Sequence, residues 1–193
     1  MVNIAVFVSG GGSNLQSLID DKQIKDNIKL VVSNKEAAYG LVRAKDNNIA
    51  TLVSKDFGEI LDVLKGYSID LVVLAGYLAI IPQHFVDAYP NKIINIHPAL
   101  LPSFGGKGYY GMNVHKAVYE QGCKVSGPTV HFVTGGVDKG PIILQRSVDI
   151  SSCGSPEEIQ TKVLVLEHQL LPEAVKLYCN HKLRIENNRV EII

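Results

Sequence analysis

The sequence predicts an α/β fold: a doubly wound, mostly parallel sheet of about seven strands, helices on both faces, and an antiparallel strand in the C-terminal half. Three observations carry that expectation. Short β-branched runs alternate with segments of helical period from Asn3 to Gln121. Runs such as LVVLA at Leu71–Ala75 are apolar at every position, as strands covered on both sides must be. The last third then changes to longer strands followed by one long helix.

Strands are predicted at Asn3–Val8, Ile28–Ser33, Thr51–Val53, Asp70–Leu74 and Ile93–His97. Helices are predicted between and after them at Asn14–Asp20, Ala37–Asn47, Phe57–Lys65, Gln83–Ala88 and Met112–Gln121. Val125–Thr134 and Pro141–Ile150 read as two longer strands joined by a glycine-rich turn. Ser155-Pro156-Glu157-Glu158 then opens a helix running to about Cys179, with a serine cap, a proline in the first turn and acids against the helix dipole. Leu183–Ile193 reads as a small hairpin turning at Asn187-Asn188.

A chain of 193 residues predicts a single domain over 1–193. With 46% hydrophobic and 20% charged residues it has the composition of a soluble globular protein. Nineteen basic and 19 acidic residues balance to zero, so composition forces no basic face, and nucleic acid is not expected as a partner. No apolar run approaches the ~20 residues of a membrane span, and the start has no signal-peptide pattern, so a cytoplasmic protein off the membrane is expected. Cys123, Cys153 and Cys179 fit neither a disulfide framework nor a zinc spacing.

Two stretches carry chemistry. The first is Ser9-Gly10-Gly11-Gly12-Ser13-Asn14, between the first strand and the first helix. In an open α/β sheet this turn is an anion site, because glycines let backbone N–H groups approach a phosphate at a helix N-terminus. A tight turn with an Asn cap is the plainer alternative. A dinucleotide fingerprint fails at Leu15, which stands where a third glycine belongs, and at Ser33-Asn34, where a ribose-binding acid belongs. No Walker lysine follows the glycines. A sugar phosphate suits the loop better.

The second stretch is Asn95-Ile96-His97-Pro98, at the C-terminal end of a predicted strand, where open sheets bind ligands. Residues two apart share a face, so Asn95 and His97 present an amide and an imidazole together. Such a pair suits acyl transfer: the amide holds an oxyanion and the imidazole carries a proton. No G-x-S-x-G elbow supplies a nucleophile, so the attacking group is expected on a substrate. Asp138, in the turn Gly135–Gly140, is the candidate carboxylate partner, although turn aspartates are common. A satisfied strand-end histidine is the plainer reading of the whole set.

VSGGGSNLQ, LAGYL at Leu74–Leu78, NIHPALLP, TVHFV at Thr129–Val133 and VDKGPII at Val137–Ile143 occur in the order seen in the folate-dependent formyltransferases. The chain resembles that family over nearly its whole length. The resemblance implies the following. Asn95, His97 and Asp138 match the catalytic trio. Gly11, Gly12, Ser13 and Asn14 match the binder of a substrate's ribose phosphate, and Glu167 a glutamate that contacts the same substrate, 5-phosphoribosylglycinamide. Leu78, Ala79, Ile80, Ile81, Asn95, Thr134 and Val137 match the folate pocket for 10-formyltetrahydrofolate. No metal is implied. The substrates are small molecules and the protein is a monomer or homodimer. Residues 1–90 would form the phosphate-binding half, 91–180 the catalytic and folate half, and 181–193 a tail. The Leu101–Pro102 bond matches one that is cis in members of the family.

Two features depart from the family. Ala79 stands where many members carry arginine, and Ser103–Gly111 is longer, which suggests a lid over bound ligand. Formyltetrahydrofolate hydrolysis, or sugar-phosphate binding without catalysis, are the alternatives. Of the remaining histidines, His131, mid-strand, is expected to be a core residue or to support the site rather than to act in catalysis. His84, His115 and His181 are expected at the surface, and His168 to pack on the long helix.

Overall fold

A computed structural model describes residues 1–193. The strands are β1 (Ile4–Val8), β2 (Ile28–Ser33), β3 (Ala50–Val53), β4 (Leu71–Leu74), β5 (Ile93–His97), β6 (Val125–Ser126), β7 (Thr129–Phe132), β8 (Ile142–Gln145), β9 (Val148–Asp149), β10 (Leu183–Glu186) and β11 (Arg189–Ile192). The helices are α1 (Ser13–Asp20), α2 (Tyr39–Asp46), α3 (Phe57–Gly66), α4 (Gln83–Ala88), α5 (Met112–Glu120) and α6 (Pro156–Cys179). Seven strands form one sheet in the order β3-β2-β1-β4-β5-β7-β8. β1 to β5 pair in parallel, and β7 pairs with β8 antiparallel. The expected doubly wound sheet with its antiparallel strand is therefore the observed one. No helix is long and apolar enough to cross a membrane.

The chain divides into two compact units, Met1–Asn95 and Ile96–Ile193. In the first, β1, β2 and β3 step one way across the sheet, and β4 returns to the other side of β1. Right-handed crossovers then put α1 and α2 on one face and α3 and α4 on the other. The reversal between β1 and β4 is the switch point where the strand ends splay and ligands bind in open sheets. Every residue of β1 is buried, as is every residue of β4, which is why their sequences are uninterruptedly apolar.

In the second unit, α5 and α6 close a core of Ala99, Val114, Val118, Ile150, Ile159 and Val163. Ser155 caps α6 by accepting the Glu158 N–H, as its sequence predicts. The two long strands expected at Val125–Thr134 and Pro141–Ile150 are each broken in two. Pro128 has no N–H to continue a ladder, and its carbonyl accepts the Arg146 N–H across the break. β6 consequently leaves the large sheet and pairs with β9 alone. β10 and β11 form the expected hairpin.

His115 is a correction: expected on the surface, it is 2% exposed. The buried stripe of α5 runs through Val114, His115 and Val118, so the ring lies on the apolar face.

Candidate active site

In the first unit the glycine turn follows β1 at the switch point. Helix α1 starts at Ser13 rather than Asn14, and its N-cap is Gly12, left-handed at φ 69° with no side-chain cap. The Asn cap of the plainer alternative is not formed, because a left-handed glycine occupies the N-cap position and closes the turn by backbone alone. Gly12 also lies against Gly40 of α2: a Cβ on Gly12 would stand 2.6 Å from the Gly40 Cα. Only glycine fits there.

Ser9 ties this turn to the segment after β4. Its N–H donates to the Gly76 carbonyl at 3.1 Å. Its hydroxyl donates to Asn34 Oδ1 at 2.7 Å and accepts the Leu78 N–H at 2.9 Å. The glycine turn and the start of Leu78–Ile81, two segments expected to bind different ligands, are thus joined through one buried serine. Leu78 and Ile80 are exposed apolar side chains, and Ala79 and Ile81 are half-buried. Asn34, disqualified above as a ribose acid, has a structural partner instead.

Asn95, in the middle of β5, pairs with Leu74 at the end of β4, and His97 is the last residue of β5, 4% exposed. The His97 Nε2–H donates to the Phe104 carbonyl at 2.8 Å. A carbonyl only accepts, so this bond places the proton of the neutral ring on Nε2. Nδ1 is left facing Asp138 Oδ2 at 3.6 Å. The other oxygen, Oδ1, lies 3.6 Å from His131 Nε2, while His131 Nδ1–H donates to the Phe132 carbonyl at 2.8 Å. Asp138 therefore sits between two imidazoles, each anchored at its far nitrogen by a main-chain carbonyl. Gly106 N–H adds a bond to Oδ2 at 2.9 Å.

These contacts set the protonation states. Burial is the largest influence on His97 and lowers its pKa below the ordinary imidazole value; Asp138 and the Phe104 carbonyl oppose it less strongly. Burial alone would raise Asp138, but His131, His97 and the Gly106 N–H together hold it below the usual carboxylate value. At neutral pH the pair is a neutral imidazole beside a carboxylate.

The backbone is bent to make this arrangement. Phe104 and Asp138 both adopt left-handed φ, 53° and 56°. Gly105 lets the two segments meet, since a Cβ there would stand 2.4 Å from Leu101 Cδ2 and 3.3 Å from Asp138 Cβ. The turn after His97 is held from the strands: Thr129 Oγ1 donates to the Ala99 carbonyl and accepts the Leu101 N–H, and Gln145 Nε2 donates to the Leu101 carbonyl. Leu101–Pro102 is cis.

Thr134 is half-buried and Val137 exposed in the turn that carries Asp138. Glu167 is 8% exposed on α6. Lys162, on the same helix, donates to the Asp149 carbonyl and the Ser152 hydroxyl. No three His, Cys, Asp or Glu side chains are grouped to hold a metal ion. Sequence reasoning missed Ser9, Phe104 and Gly106, two of which act through backbone atoms that no residue pattern announces.

The family described as Formyl transferase matches residues 2–175. Phosphoribosylglycinamide formyltransferase, chloroplastic, from Arabidopsis thaliana is 42% identical over 203 residues, covering 98% of this chain and 70% of that protein. Phosphoribosylglycinamide formyltransferase from Escherichia coli (strain K12) is 37% identical over 199 residues, covering 97% of this chain and 92% of that protein. Among solved structures, glycinamide ribonucleotide transformylase 1 from Symbiobacterium toebii superposes with a TM-score of 0.92 at 37% identity, over 100% of this chain and 94% of that one.

Proposed function

This chain belongs to the formyl transferase family, and on that premise we propose that it transfers the formyl group of 10-formyltetrahydrofolate to the amine of 5-phosphoribosylglycinamide. The products are formylglycinamide ribonucleotide and tetrahydrofolate, a step of de novo purine biosynthesis. The observation that carries the mechanism is the orientation of His97: one nitrogen fixed on a carbonyl, the other turned to the Asp138 carboxylate.

The substrate's amine attacks the formyl carbon, forming a C–N bond and opening the carbonyl to an oxyanion. Asn95 donates its amide N–H to that oxygen. The proton lost by the amine passes through the Asp138 carboxylate to His97 Nδ1, whose lone pair faces Asp138 Oδ2, and the regenerated carboxylate stabilises the imidazolium that results. The charged ring then stands near the oxyanion and stabilises it too. Collapse breaks the bond to the folate nitrogen, which takes the proton back from His97. Both protons and charges balance, and the enzyme returns to a neutral imidazole.

In the same reading the Gly11–Asn14 turn and Glu167 hold the phosphorylated amine. Leu78–Ile81, Thr134 and Val137 hold the folate, with Ala79 offering backbone contacts only. The exposed apolar side chains Leu78, Ile80 and Val137 support this assignment, because a flat pterin needs apolar cover.

The test is formyl transfer with both substrates, against a control lacking the amine. Tetrahydrofolate release that depends on the amine is the expected result. Equal release without it would assign hydrolysis instead.

A further inference from the structure

We propose that Arg43 is a positioning residue for the substrate's phosphate, aiming a backbone N–H of the glycine turn from behind the loop. The inference rests on the reading of Gly11–Asn14 as the phosphate binder and adds a residue that the reading does not contain.

The argument starts from the peptide units of the turn. In a planar trans peptide the C=O of one residue and the N–H of the next point in opposite directions. Pinning an oxygen therefore aims a donor. All three glycine carbonyls of the turn are pinned. Gly10 O accepts the Gly40 N–H at 3.0 Å, an otherwise orphaned donor of the first turn of α2. Gly12 O accepts the Gln16 N–H at 2.9 Å, inside α1. Gly11 O, the middle one, accepts from the Arg43 Nε–H at 2.8 Å. The N–H groups of Gly11, Gly12 and Ser13 consequently all face away from these partners, as an anion nest requires.

The outer two carbonyls are held by backbone, which any sequence with the same fold supplies. The middle one depends on a single side chain, and that side chain is itself fixed. Arg43 Nη1–H donates to Gln16 Oε1 at 3.0 Å, and the guanidinium lies over the Tyr39 ring, 5.1 Å from its centroid. A planar fork bridging the loop to α1 is a property of arginine that lysine lacks. The guanidinium also places a positive charge behind the loop.

The test compares Arg43→Met and Arg43→Lys with the loop variant Asn14→Ala. The readouts are KM for each substrate, kcat, inhibition by inorganic phosphate against the amine substrate, and melting of the unliganded protein. R43M is expected to raise KM for the phosphorylated amine and the phosphate inhibition constant together by about tenfold, the scale of one charge-assisted hydrogen bond. In the same variant kcat and KM for the folate change less than about twofold, because the loop's aim and not the chemistry is disturbed. R43K, which keeps a donor for Gly11 O but loses the fork, is expected to fall between R43M and wild type.

Unchanged phosphate readouts in R43M, with N14A raising them, would overturn the role of Arg43 and leave the phosphate loop standing. A failure of inorganic phosphate to compete with the amine in the wild type, together with no effect of N14A, would remove the loop reading and the inference with it. An equal rise in both KM values alongside a lower melting temperature would make Arg43 a general stabiliser and overturn the proposal. If R43M does not fold, wild-type phosphate readouts in R43K overturn it equally.

Discussion

The role proposed for His97 rests on what its two nitrogens face. Removing the ring in His97→Ala, or the charge in Asp138→Asn, is expected to cut kcat by ~10²–10⁴, the range for a positioned acid-base group, while leaving the fold intact by circular dichroism. Asn95→Ala is expected to lower kcat by ~10²–10³, the scale of one oxyanion donor; an effect confined to KM would assign it to binding alone. The pH profile has a definite sign. The mechanism starts from neutral His97, whose pKa lies below the ordinary 6.5 because the ring is buried. Turnover is therefore full above that pKa and falls as pH drops through it. A profile that instead declined between neutral and mildly alkaline pH would mean that His97 starts protonated. Ser9→Ala removes the hydroxyl that joins Asn34 to the Leu78 N–H. It is expected to raise KM for the folate by about three- to tenfold, one neutral hydrogen bond's worth, with kcat nearly unchanged.

Helix α5 carries a stability cost that depends on pH. His115 is buried on its apolar face with no partner for Nδ1, and burial, followed by the charge of His97, lowers its pKa to about 4. The unfolded ring takes a proton below about 6.5, whereas the folded one stays neutral until about 4. The contribution is thus fully present above the upper value and lost as pH falls toward the lower one, by up to ~3 kcal/mol. His115→Leu removes both the titration and the unpartnered nitrogen. Urea melts at pH 7.5 and 5 should show a smaller acid-side loss for this variant than for wild type; an identical loss would place the sensitivity elsewhere. The Ser103–Gly111 segment behaves differently, since its Phe104 carbonyl and Gly106 N–H hold His97 and Asp138 directly. Gly105→Ala forces a Cβ against Leu101 and Asp138 and should lower kcat more than it lowers the melting temperature.

For the molecule as a whole, either small-molecule substrate binds the folded chain and not the unfolded one. Saturating the protein at about 100 times Kd with a non-reactive folate should stabilise it by ~2.7 kcal/mol, read as a rise in melting temperature. Much of the architecture was legible beforehand, because burial writes itself into periodicity. β1 and β4 are apolar at every position, α6 announces its cap, and two residues of one strand share a face by geometry alone. The breaks in the last third were not legible, since Pro128, the fourth residue of Val125–Thr134, reads as part of a strand until a second segment is seen to bond across it. The burial of His115 was missed for a similar reason: one imidazole on an amphipathic face looks solvent-directed until the helix's neighbours are known.

By itself the sequence determined the doubly wound sheet, the glycine turn after the first strand, the Asn95–His97 pair at a strand end and the family that combines them. These are local properties, set by side-chain period and by the few residues that a tight turn admits. Tertiary structure alone decided that Asp138 stands between His97 and His131, that Phe104 fixes the proton on His97, that Ser9 joins the glycine turn to Leu78 and that Arg43 reaches the Gly11 carbonyl. Each of those contacts spans from 7 to 69 positions of chain. Their geometry follows from how elements pack, to which no repeat or spacing along the chain is coupled.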